Sequence, residues 1–197
     1  RNDPDHIELS DQEAFRSTTV TSLTGSLMML TDKPERYRTR FAEPAKRSAP
    51  VLFTLPGQVY DVDPSRSQRI GGADAEVSGK EPKPFDAGLS PQCHLYALEV
   101  DRPFENWLVL GRTGGDLDRI RMADLCHDPD KEYFVFEFWE KRLAGSFVGS
   151  FPVDRIDPAF NCQVFILRER VPHPQVLATC SWPRWLVFFL LALVRNG

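Results

Sequence analysis

The sequence predicts an α/β segment followed by an all-β domain, and three observations predict it. Within the first 50 residues, a short apolar run lies between two segments that carry helix-capping residues. A stretch rich in Pro, Gly, Ser and Asp follows over 56–91. From residue 93 onward, short apolar segments alternate with turn residues, and this half contains most of the 14 Phe and 4 Trp, which favour half-buried strands.

The N-terminal segment predicts a helix and then a buried strand. Ser10 and Glu13 have the spacing of a capping box, in which each side chain satisfies a free backbone N–H group at the helix start. We therefore expect a helix over 10–24. The apolar run 26–31 is too short for a further helix and is apolar throughout, which is typical of a strand buried on both faces in a parallel sheet.

A second helix and a linker are predicted next. Asp32 and Glu35 repeat the capping spacing and predict a helix over 32–46. Its several Arg and Lys side chains indicate a solvated face, with a basic binding patch as the alternative. The stretch 56–91 is then predicted to be a linker or a set of long surface loops, with one short strand near 59–62.

The C-terminal half predicts an antiparallel sandwich or barrel. Strands are expected in six segments, 93–100, 105–113, 131–140, 145–151, 161–169 and 174–180. Segment 131–140 is apolar on both faces, so it should be a central strand. We expect Trp139 to share one face of that strand with Tyr133 and Val135 and to be a core residue.

Charge and hydropathy exclude two classes of partner. The formal net charge of −4 and a pI near 5.6 lack the electrostatic footprint of a nucleic-acid binder. The run 185–194 is ten uninterrupted apolar residues, whereas a membrane-spanning helix needs ~20. No membrane span is expected. The run is either a buried final strand or a sequence artefact.

The cysteines do not predict a metal centre or a cofactor. The four stand at positions 93, 126, 162 and 180, without any C-x-x-C pair. Cys93 and Cys126 are each followed by His, but adjacent side chains on a strand point to opposite faces and would not chelate one ion easily. Structural thiols are the favoured interpretation, and a disulfide remains an alternative.

The first residues carry the candidate site. In Asn2-Asp3-Pro4-Asp5-His6, two carboxylates flank a proline that stiffens the loop. The motif stands just before a capped helix, where a barrel would place the C-terminal end of a strand and its active-site loop. Taken alone, the same residues are also compatible with a plain acidic turn.

The order of motifs resembles the C-terminal part of α-galactosidases, the melibiase-type glycoside hydrolases of families 27 and 36. The resemblance is carried by NDPDHIEL, SDQEAFRSTTVTSLTGSLMMLTD, YFVFEFWEKRLAG and PQVLAT, and it extends to about residue 179. It implies that 1–57 form the C-terminal portion of a (β/α)8 TIM barrel and that 58–91 are a linker. It further implies an antiparallel β-sandwich over 92–181, with 182–197 as an apolar tail that departs from the family.

The resemblance also implies a retaining hydrolase of α-galactosides or related glycosides. One Asp would attack the anomeric carbon and a second would act as acid and then base. In the family both lie on earlier barrel strands, which would precede Arg1, so we expect no catalytic residue here and an inactive fragment. Asp3 and Asp5 would border the sugar pocket, and His6 would touch the sugar where many members have Met. No metal or cofactor is implied.

A second hypothesis comes from a different class of protein. The same β-rich half suits a non-catalytic carbohydrate-binding or structural sandwich with helical decoration. The two hypotheses differ in what precedes the chain, because only the hydrolase requires a further barrel with two catalytic Asp residues.

Overall fold

The computed structural model of the chain describes residues 11–23, 33–40, 42–48, 59–61, 95–101, 106–114 and 117–178. These residues form two short α-helices and eight β-strands that pair antiparallel throughout. The helices come first in the chain, and all strands follow them. The fold is therefore a mostly antiparallel sheet structure with a small helical part.

The helices agree in part with the sequence prediction. Helix α1 spans Asp11–Leu23, as the capping box predicts. The single helix expected over 32–46 is wrong, because this segment forms a 3₁₀ turn at Arg36–Arg38 and then helix α2 at Ala42–Ser48. Pro44 explains the break. It has no N–H and its ring would collide with the carbonyl four residues earlier, so it is tolerated only in the first turn of a new helix.

The strands form one large and one small sheet. In chain order they are β1 (Val59–Asp61), β2 (Leu95–Asp101), β3 (Asn106–Arg112), β4 (Arg119–Arg121), β5 (Glu132–Glu137), β6 (Arg142–Val148), β7 (Ser150–Pro152) and β8 (Gln163–Glu169). The six-stranded sheet has the order β1-β2-β3-β8-β5-β6, and β4 pairs with β7 in the second sheet. β5 lies between β8 and β6, which confirms the prediction of a central strand.

One face of the large sheet, here called the core face, packs against the small sheet. Strands β2, β3, β5 and β8 each contribute two buried apolar residues to it, and β4 and β7 contribute Ile120 and Phe151 from the opposite side. Cross-strand pairs place these side chains together, for example Leu110 opposite Phe165. Apolar contact between two antiparallel sheets is the architecture of a sandwich, so the coarse prediction of a β-sandwich is confirmed.

The opposite face of the large sheet, here called the helix face, is covered by two other parts of the chain. α1 covers one end through Phe15, which clusters with Val164 and neighbouring residues. Segment 171–178 covers the other end, where Leu177 packs with Phe134 and Phe136. Because both faces are covered, the central strands are apolar on both sides.

Three details of the strand prediction are wrong. The single strand expected over 145–151 is divided, because β6 ends at Val148 and β7 begins at Ser150 in the other sheet. Strand β5 ends at Glu137, so Trp139 lies in the following turn and packs on the helix face, not beside Tyr133 and Val135. The turn reverses the chain at Lys141, which has a left-handed φ of 57°. The strand expected over 174–180 is also not formed in its described part, because 174–178 cover the sheet without joining it.

The barrel end remains a prediction. The expected strand 26–31 lies outside the described residues, and so do 182–197. The short strand expected near 59–62 is present as β1, which pairs with β2 at the edge of the large sheet. None of the described helices has the length and apolar run that crossing a membrane requires.

Gly111 sets the distance between α1 and the sheet. A Cβ atom at this position would lie 2.2 Å from Leu23 Cδ1 and 3.2 Å from Thr19 Cγ2. Gly111→Ala should therefore displace the end of the Leu23 side chain and lower the free energy of unfolding by ~1–3 kcal/mol, as overpacking usually does. Urea denaturation measures this change.

A double-mutant cycle provides the control for Gly111→Ala. Leu23→Ala removes the side chain that the new methyl group would meet, so Gly111→Ala should cost less in that background. An equal cost in both backgrounds would contradict close packing between Leu23 and Gly111.

Candidate functional site

The sequence-predicted site residues Asp3, Asp5 and His6 lie outside the described residues. The structure does describe the helix that follows them. This helix, α1, begins at Asp11, five residues after His6. The described contacts of α1 form a buried junction with the sheet, here called the helix junction.

Aromatic packing forms the apolar part of this junction. Phe15 on α1 meets the Trp139 ring edge to face, with ring centroids 4.9 Å apart, and meets Phe160 at 5.0 Å. Phe15 and Trp139 are almost completely buried, at 1% and 4% exposure. T-shaped pairs of this kind add ~0.5–1.5 kcal/mol to the effect of burial alone. Burial of Trp139, which the sequence predicted, is thus confirmed, although its partner is a helix.

A short hydrogen-bond chain crosses the same junction. The Trp139 indole Nε1 donates to Thr19 Oγ1 at 3.0 Å, and this oxygen lies 3.5 Å from Cys162 Sγ. All three side chains are buried. Burial raises the pKa of the Cys162 thiol to about 12, more than the nearby hydrogen bond to Thr19 lowers it. Cys162 is therefore a neutral thiol near neutral pH and a structural residue, not a nucleophile.

Glu137 is the one carboxyl at this junction that is removed from water. It is 1% exposed, and its oxygens accept hydrogen bonds from the backbone N–H groups of Val164, at 3.1 Å, and Glu140. Burial raises the pKa of Glu137 to about 7. The two N–H donors and the Arg47 charge favour the ionised form, whereas the Glu140 charge opposes it, and desolvation outweighs them.

Arg47 on α2 closes the junction from the other side. Its guanidinium donates to the carbonyl oxygens of Trp139, at 2.9 Å, and Phe138. It also lies over the Phe138 and Trp139 rings, 4.5 and 4.8 Å from their centroids. Cation–π contacts that are shielded from water contribute ~2 kcal/mol. The turn 138–141, called here the anchor turn, is thus held by the sheet below it and by α2 above it.

The ionisable side chains of this junction have structural roles. Both Glu137 oxygens are engaged by backbone N–H groups, and the Cys162 thiol stays protonated. Within the described ranges no group of three or more His, Cys, Asp or Glu side chains could hold a metal ion. The described cysteines, Cys126 and Cys162, are both free thiols. The junction can therefore position neighbouring residues.

Sequence reasoning missed most of this junction. Its one visible signal is Glu137, a charged residue inside the apolar run YFVFEFW, where burial without partners would be costly. Thr19 and Arg47 carried no signal, because a threonine in a helix and an arginine near a helix end are ordinary surface residues. Their roles depend on contacts between positions more than 90 residues apart.

Two glycosidases are among the solved structures to which this chain is similar. α-Galactosidase I from Mortierella vinacea is 12% identical, with a TM-score of 0.48 over 83% of this chain and 38% of its own. A GH27 β-L-arabinopyranosidase from Geobacillus stearothermophilus in complex with arabinose is 10% identical, with a TM-score of 0.47 over 83% of this chain and 32% of its own. This chain thus spans about a third of their length. No family model and no curated protein matches it.

Titration of Glu137 makes stability depend on pH. Its pKa is raised from 4.5 to about 7 in the folded chain, so between these values the folded state holds a proton that the unfolded state releases. The associated stabilisation is complete below pH 4.5 and is lost as pH rises through 7, a change of ~3 kcal/mol. Glu137→Gln cannot titrate and should lack this dependence, as urea denaturation between pH 5 and pH 8 can measure.

A surface variant is the matched control for Glu137→Gln. Glu13→Gln removes the same charge from an exposed position on α1 and should keep the pH dependence of the wild type. If Glu137→Gln and Glu13→Gln have the same pH dependence as the wild type, the titrating group is not Glu137.

Proposed function

We propose that the chain is the C-terminal part of a retaining glycoside hydrolase that acts on α-galactosides or related glycosides. In this proposal residues 1–57 are the end of the (β/α)8 catalytic barrel and 58–91 connect it to a sandwich over 92–181. The tail 182–197 lies beyond the part that resembles the family. Carbohydrate is the partner, and no metal or cofactor takes part.

One observation carries the proposal. The helix that follows the N-D-P-D-H motif packs directly on an antiparallel sheet, through Phe15, Thr19 and Leu23. The resemblance implies the same order along the chain, in which an acidic loop is followed by a helix and, further on, by a C-terminal sandwich. A plain acidic turn at the start of an unrelated chain would not require the next helix to be held in a fixed place on such a sheet.

The proposal gives each residue of the motif a role. The carboxylates of Asp3 and Asp5 accept hydrogen bonds from sugar hydroxyl groups, since ionised acceptors make strong hydrogen bonds with hydroxyl donors. Pro4 between them restricts the loop and lowers the entropy lost on binding. His6 contacts the sugar directly. In the family, the nucleophile and the acid/base are two Asp residues on earlier barrel strands, which would precede Arg1 here. Their carboxyl groups lie ~5–5.5 Å apart, as retention of configuration requires.

The experiment compares the 197-residue chain with the protein encoded by the complete reading frame. The 197-residue chain should not hydrolyse nitrophenyl α-galactoside, whereas the protein made from the complete reading frame should. In the latter, Asp3→Asn or Asp5→Asn should raise KM about tenfold or more, because a hydrogen bond to a charged group contributes ~1.5–3 kcal/mol. Steady-state kinetics at several substrate concentrations separates KM from kcat.

The matched control is Asp130→Asn, which removes the same charge from an exposed turn and should leave KM unchanged. If the 197-residue chain hydrolyses the substrate and Asp5→Ala abolishes this activity, the assignment of the catalytic residues to earlier strands is wrong. A complete protein that binds α-galactosides without hydrolysing them would favour the non-catalytic carbohydrate-binding alternative.

A further inference from the structure

The anchor turn is held by one acidic and one basic side chain, and each binds its own set of backbone groups. Glu137 precedes the turn and accepts a hydrogen bond from the N–H group of Glu140 inside it. Arg47 on α2 donates to the carbonyl oxygens of Phe138 and Trp139, the latter at 2.9 Å. A carboxyl group and a guanidinium therefore act on the same turn.

Water has little access to either of these side chains. Glu137 is 1% exposed and Arg47 is 9% exposed. Charges in such surroundings interact more strongly than charges at the surface, because the local dielectric constant is lower. Burial raises the pKa of Glu137, and the Arg47 charge acts in the opposite direction by favouring the carboxylate. The ionisation of Glu137 and the presence of Arg47 at the turn are thus linked.

Each element at the helix junction contributes further ionisable groups. They are Arg16 on α1, Glu43 on α2, Glu140, Lys141 and Arg142 in and directly after the anchor turn, and Cys162 directly before β8. Glu140 with Arg142, at 2.9 Å, and Glu43 with Lys141, at 3.7 Å, form ion pairs at the surface, where water screens them. Cys162 is a neutral thiol near neutral pH. Of the cations in this set and Arg47, Arg47 is the most deeply buried.

We propose that Arg47 is a pH-dependent latch for α2, in that its contacts with the anchor turn hold more strongly when Glu137 is ionised than when Glu137 carries a proton. The reason is reciprocity: a cation that favours the carboxylate is itself held more firmly by the carboxylate. The contribution of Arg47 to stability therefore rises with pH, although the cost of ionising Glu137 lowers the stability of the whole fold over the same range. The inference does not depend on the proposed function.

The test is urea denaturation of the 197-residue chain and of Arg47→Gln at pH 5 and at pH 9. Glutamine keeps an N–H donor for the turn but removes the charge and the contacts with the Phe138 and Trp139 rings. The equilibrium constant for folding should fall at both pH values because these contacts are lost. It should fall about tenfold further at pH 9, since removal of a nearby opposite charge should raise the pKa of Glu137 by about one pH unit. Sucrose, added equally to all samples, keeps a weak variant folded.

Three variants serve as controls. Lys46→Gln removes the same charge from the neighbouring, exposed position on α2, and its effect should be the same at both pH values. Arg47→Lys keeps the charge, so its effect should also not vary with pH. In the Glu137→Gln background no carboxylate forms, and Arg47→Gln should then have equal effects at pH 5 and at pH 9. An equal effect of Arg47→Gln at both pH values in the wild-type background would overturn the inference, as would an unequal effect in the Glu137→Gln background.

An NMR titration of the Glu137 carboxyl carbon measures the same linkage in the folded protein. The pKa of Glu137, about 7 in the wild type, should be about one pH unit higher in Arg47→Gln and unchanged in Lys46→Gln. If the pKa of Glu137 is the same in Arg47→Gln as in the wild type, Arg47 is a permanent structural contact and not a latch that responds to pH.

Discussion

The structure depends on the packing of Trp139 between α1, α2 and the large sheet. At this side chain residues of α1 and α2 both meet the β-rich half of the chain. Its ring supplies a large apolar surface to Phe15, and its indole N–H supplies direction through Thr19. Because tryptophan combines a large apolar ring with a single N–H donor, this one residue can both cover the apolar face of α1 and orient the helix.

The position of Trp139 in turn depends on a buried carboxyl. Glu137 ends strand β5 and turns the chain by accepting hydrogen bonds from two backbone N–H groups, those of Glu140 and Val164. These bonds do not outweigh the desolvation that raises the pKa of Glu137 to about 7. The anchor turn is thus held by a group that is expensive to ionise, and this couples the helix junction to pH.

A second buried ionisable side chain, Arg112, lies on the core face and, unlike Glu137, keeps its charge. Arg112, at the end of β3, donates to the carbonyl oxygens of Gly114 and Asp154 and to Gln163 Oε1, at 2.8–3.2 Å. These acceptors belong to the loops after β3 and β7 and to β8, so the guanidinium ties the loop after β7 to the end of the large sheet. Arginine keeps its charge under all ordinary conditions, and this tie therefore does not vary with pH.

Elements that follow from local residue patterns could be predicted from the sequence alone. The capping box of Ser10 and Glu13 predicts α1 to within about a residue at each end, and alternating apolar residues predict five of the eight strands. The apolar character of β5 on both faces predicts its central place. These features need only the neighbours of a residue in the chain. The acidic motif with Asp3, Asp5 and His6 stands out in the sequence because its residues are contiguous, and its role stays a prediction.

Only the tertiary structure decided which surfaces meet. The sequence shows that Trp139 is apolar and belongs inside, but the turn after Glu137 rotates it onto the helix face, where α1 covers it. Strand β4, with a single buried residue between two arginines, has no pattern of its own and exists because β7 pairs with it. The helix junction joins residues such as Thr19 and Cys162, which are 143 positions apart. At that separation neither periodicity nor capping carries information, because the contacts arise only when the chain packs in three dimensions.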